Sequence, residues 1–158
     1  MCSPNCPEAP NALTSDPENY PIETGIVPLV FEMTRLGIFE PCWSCEGHLN
    51  TSGKLWKLPR VWFYCESMVH IRLLVDGLKD MELAGKLTNK WQVVVTFSDP
   101  DNPETTFSLE PVLESEAPSI LPKLQADANV IAQSLEGLII GQGKKLQYGA
   151  AKVLKSSD

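Results

Sequence analysis

The sequence predicts an α+β domain with a four-stranded, mostly antiparallel sheet and three helices packed on one face, in the order α-β-β-α-β-β-α. Three observations carry this. Apolar residues recur at helical spacing in three separate stretches, two pairs of β-branched and aromatic runs lie between them, and the later pair is joined by the tight Pro- and Asp-rich turn "DPDNPE". Antiparallel strands with segregated helices make a two-layer sandwich.

Each element has its own reason. Residues 1–21 are rich in proline and small polar residues and lack periodicity, which predicts an extended N-terminal arm ahead of a single domain over 22–158. From Thr24, a candidate cap, the apolar positions Ile26, Leu29, Val30, Met33 and Leu36 share one helical face, and Gly37 suits the stop. Ile38 to Cys45 and "RVWFYCE" at 60–66 read as strands, with a long loop between them. Ser67 caps a second helix carrying Ile71, Leu74, Val75 and Leu78, which ends near Gly85. "KWQVVVTF" and "TTFSLEPVL" form an antiparallel hairpin, with Thr105, Phe107 and Leu109 alternating. Leu121, Leu124, Ala128, Ile131, Leu135 and Leu138 mark a long closing helix, opened by Ser119 and fraying near Gly141 and Gly143.

Bulk properties narrow the function classes. At 158 residues and 43% hydrophobic, the chain can bury one core without crosslinks. It contains no apolar run of membrane-spanning length, and its first residues lack the basic-then-apolar order of a secretory signal, so no membrane partner and a cytosolic location are expected. The five cysteines then read as thiols or ligands rather than a disulfide framework. A formal net charge of −7 disfavours nucleic acid, because sequence-independent binding to phosphate needs Lys and Arg. A small molecule or a second copy of the chain is the expected partner, the latter through the sheet face that carries Trp62 and Tyr64.

The most chemically loaded stretch is "PCWSCEGH" at 41–48. Three readings compete. In the first, a small-ligand or catalytic pocket is built on the turn from Cys42 to His48 and the loop to Arg60. Cys45 is nucleophile, His48 is base, Ser44 and Gly47 shape the turn, Arg60 meets an anion, and Trp43 and Trp62 wall the pocket. Lys54 and Lys57 add cations that favour a thiolate. In the second, Cys42, Cys45, His48 and Cys65 form a Cys3His zinc shell, although strict strand alternation would send Cys42 and Cys45 to opposite faces. In the third, the cysteines are small buried hydrophobes in a structural turn and the protein is a non-enzymatic interaction module using the exposed sheet face.

Other candidates have plainer readings. Cys2 and Cys6 are incidental arm thiols, "GQGKK" at 141–145 is a helix stop rather than a phosphate loop, His70 belongs to a helix, and Trp91 is core.

Ser44-Cys45-Glu46-Gly47-His48 follows the "E-x-x-x-x-G" helix end at Glu32 to Gly37 and precedes "P-x-V-x-F" at Pro59 to Phe63. Over residues 24–66 this resembles a pattern in small uncharacterised bacterial and phage proteins with an S-C-x-G-H turn. The resemblance implies a strand leading through the turn into a second strand opened by proline and aromatic residues, and carries no activity. More weakly, the turn is similar to the S-S-C-S-G-R turn of the wybutosine-synthesis methyltransferase family, with Trp43 and His48 where that family has serine and arginine. That similarity implies a turn belonging to an active region.

Overall fold

A computed structural model describes residues 22–96, 101, 103–115 and 117–155. The order is helix α1 (Val27–Leu36), strands β1 (Glu40–Leu49) and β2 (Leu55–Tyr64), helix α2 (Met68–Leu83), strands β3 (Trp91–Thr96) and β4 (Thr106–Pro111), a 3-10 turn at Pro118–Ile120, and helix α3 (Leu121–Lys155). This is the expected α-β-β-α-β-β-α order. The expected arm over residues 1–21 and much of the "DPDNPE" turn lie outside the described residues.

The sheet order is β1-β2-β4-β3, and all three pairings are antiparallel. β3 and β4 form the expected hairpin, and β1 and β3 are the sheet edges among the described residues. Alternation sends Val61, Phe63, Phe107 and Leu109 into one core with Leu29 and Met33 of α1, Leu74 and Leu78 of α2, and Ile131 and Leu135 of α3. Helix α3 packs against both other helices. Its buried Ala128 and Ala132 keep that central helix close to the layer beneath.

Three boundaries and one buried position depart from the sequence reading. Helix α1 starts at Val27 with Ile26 as N-cap and no side-chain cap, so Thr24 sits in the preceding turn instead of capping. Ile26 is fully buried, and core packing rather than a capping hydrogen bond holds this end. The long loop expected between β1 and β2 is a tight hairpin. Gly53 N–H donates to Asn50 C=O, Asn50 N–H donates to Lys54 C=O, and the Asn50 side chain accepts from Ser52 and Lys54. With Gly53 at φ 79°, this is a type I turn closed by a left-handed residue, so both strands run further than their apolar patterns suggested.

Helix α3 does not stop at Gly141 or Gly143 but continues through both to Lys155. Across this stretch Asp80 of α2 accepts from Gln142 and pairs with Lys145. Those two hydrogen bonds hold its carboxyl below the usual range. Lastly, Val75, one of the apolar positions at helical spacing in α2, is exposed, whereas Leu73 is buried. The other α2 features stand: Ser67 Oγ accepts from Val69 N–H, and Gly85 adopts φ 67° just past the helix end.

Candidate metal centre at the edge of the sheet

In a regular strand, residues three apart face opposite sides, which should separate Cys45 from His48. Gly47 lies between them at φ 86°, a backbone conformation that breaks the pleat. The result is a cluster: one ligand atom each from Glu23, Cys45 and His48, all within 4.8 Å of one another. Cys45 has no exposed surface, His48 is 5% exposed and Glu23 is half-buried.

Glu23 enters from the stretch ahead of α1 and is held by β1 itself. Its Oε2 accepts the backbone N–H of Glu46 at 2.9 Å, and its Oε1 lies 2.9 Å from His48 Nε2. The Glu46 carboxylate answers by accepting from Gly25 N–H at 2.7 Å. Although 2.9 Å is hydrogen-bond range, the Glu23–His48 contact is not aligned as one, and Nε2 is a buried nitrogen without a hydrogen-bond partner. Such an atom costs free energy where it sits unless something else engages it.

Cys42 and Cys65 do not join this group. Cys42 falls where the β1–β2 register slips between Pro41 and Trp43, so it is the extra residue of a β-bulge. Burial, with the charge of Glu40 behind it, raises its thiol from 9.0 to about 12, and a hydrogen bond from Tyr64 offsets this only in part. Cys65 donates to Ser67 C=O at 3.4 Å and its pKa is likewise raised by burial. Both remain neutral thiols at pH 7, which makes them poor nucleophiles.

The residues expected to line a pocket are spread along the strand pair. In register, Trp43 faces Trp62, Ser44 faces Val61 and Cys45 faces Arg60. The rings of Trp43 and Trp62 meet at 4.8 Å between centroids, and Trp62 Nε1 is buried without a hydrogen-bond partner. Arg60 reaches toward Glu110 at 3.7 Å, and the Lys57 ammonium lies 4.5 Å over the Trp56 ring. Of the cations expected around the turn, Arg60 and Lys57 thus have partners of their own. Two clefts lie elsewhere, in grooves between α2 and α3 and between α1 and α3.

Sequence reasoning missed two carboxylates. Glu23 carries no local motif, and only the fold brings it to the turn. Asp127, 2% exposed on α3, accepts from Thr88 N–H, Thr88 Oγ1, Asn89 N–H and Trp91 Nε1, and so fixes the entry into β3. Its place on the buried stripe of α3, one residue before Ala128, was the available signal. Comparison with protein-family models, curated proteins and solved structures finds no match. No described helix is long and apolar enough to cross a membrane.

Proposed function

We propose that the protein binds a divalent transition metal, zinc by preference, through Glu23, Cys45 and His48. The observation that carries this reading is the cluster of one ligand atom each from Glu23, Cys45 and His48 within 4.8 Å of one another, with the buried His48 Nε2 lying 2.9 Å from Glu23 Oε1 but making no hydrogen bond. Sulfur, imidazole and carboxylate together suit zinc, whereas magnesium and calcium take oxygen shells. The charges also balance: a thiolate and a carboxylate offset the two positive charges of the ion, and His48 ligates as the neutral imidazole.

Three protein ligands leave one tetrahedral position for water or an incoming group. A bound zinc would supply Lewis-acid character there, and the chain's own residues do the positioning. Gly47 turns His48 toward Cys45, and the Glu46 amide holds the Glu23 carboxylate from its second oxygen. The fully buried Cys45 favours ligation over attack on an external substrate. A cytosolic, reducing setting keeps this thiol available to a metal, and the acidic chain favours cations over nucleic acid.

Elemental analysis of the tag-free protein, with chelator competition, tests the reading. The expected result is about one zinc per chain, with affinity falling at least ~10-fold in Glu23→Ala and His48→Ala. Absence of zinc after equilibration with the free ion would refute it.

A further inference from the structure

Beyond ligation, the structure assigns the centre a regulatory role: we infer that metal occupancy locks the segment Glu23–Gly25 onto the open edge of β1. The inference rests on the zinc reading above.

Among the described residues β1 has a strand neighbour on one side only, the position whose outward backbone groups make edge strands templates for further pairing. At Glu46 these groups are met by side chains from elsewhere. Its N–H donates to Glu23 Oε2, and its C=O accepts from Gln125 Nε2 of α3 at 3.0 Å. The segment ahead of α1 presses close here: a Cβ built on Gly25 would lie 2.8 Å from Glu46 Oε2.

One carboxylate therefore serves two purposes. Oε2 of Glu23 caps the edge, and Oε1 faces His48 and the centre. A metal that takes this carboxylate fixes the group that closes the edge. Without the ion, Glu23 keeps one backbone hydrogen bond and an unaligned contact with His48, which hold a half-buried carboxylate only weakly. Filling the centre fixes the carboxylate that closes the edge at Glu46, and emptying it leaves that closure to the weaker contacts alone.

Amide hydrogen exchange followed by NMR on the full chain, with one equivalent of zinc or with chelator, tests the lock, provided bound zinc is counted in the same samples. Zinc should slow exchange at Glu46 and Gly25 by about tenfold or more and leave Phe63 and Leu109 in the sheet interior much less affected. In Glu23→Gln, which retains an oxygen for the Glu46 N–H but is a poor ligand, zinc should no longer slow Glu46. One zinc per chain with Glu46 exchange unchanged, or with all amides slowed alike, overturns the lock and leaves the metal reading standing. Zinc-dependent slowing that persists in Glu23→Gln also overturns it. Failure to bind zinc overturns both.

Discussion

Gly47 has two independent reasons to be glycine. It holds φ 86°, and a Cβ there would lie 2.6 Å from Leu121 Cδ1 and 2.8 Å from Pro59 Cδ. Gly47→Ala should cost about 1–3 kcal/mol in denaturant unfolding and weaken zinc binding, because the same backbone turn brings His48 to Cys45. Asp127 gathers backbone and side-chain donors in a dry setting, so Asp127→Ala should destabilise by about 2–3 kcal/mol, read as a shift in the unfolding midpoint with unchanged slope. Cys42 offers a pH test. Its folded pKa is raised, so its contribution is fully present below the ordinary thiol value of 9.0 and is lost as pH rises toward about 12. The free energy of unfolding measured from pH 8 upward should therefore fall less steeply with pH in Cys42→Ala than in the native chain.

Among the elements, glycines of the helical layer divide by what surrounds them. A Cβ on Gly77 of α2 would run into the Leu138 side chain of α3, so this glycine sets the helix–helix approach. Gly77→Ala should destabilise by about 1–3 kcal/mol. Gly141 and Gly143 meet nothing within 4 Å of an added Cβ, and each change to Ala should stabilise α3 by about 0.5–1 kcal/mol. Thermal unfolding of the three variants checks the contrast in sign. The same glycines explain why the C-terminal half of α3 was misread: low helix propensity suggested an end, and the contacts of Gln142 and Lys145 with Asp80 are invisible to a local pattern. The β1–β2 hairpin was hidden for a related reason. Its strands carry Glu46, His48 and Lys57 where β-branched residues would have signalled a strand, and only the Asn50 to Gly53 turn marked the reversal.

At the scale of the molecule, the layer architecture was readable because apolar periodicity reports directly on burial. Leu29, Met33, Leu74, Leu78, Ile131 and Leu135 all reach the core that their spacing predicts. The site was readable only in half. Cys45 and His48 announce themselves by type and proximity, while Glu23 depends on where α1 begins and on which strand forms the sheet edge, both of which are tertiary facts. The Cys42 and Cys65 alternative failed to assemble because a bulge and a strand end, set by pairing register, carried those thiols elsewhere.

The most direct test of the central claim is the absorption spectrum of the cobalt(II)-loaded protein, compared among the native chain, Cys45→Ser and the double variant Cys42→Ser/Cys65→Ser. Cobalt occupies zinc sites and reports a coordinated thiolate through its sulfur-to-metal charge-transfer band. The account predicts that band in the native chain and in the double variant, and its loss in Cys45→Ser. A band that survives Cys45→Ser, or that vanishes in the double variant, would contradict the assignment of Glu23, Cys45 and His48 as the metal-binding set.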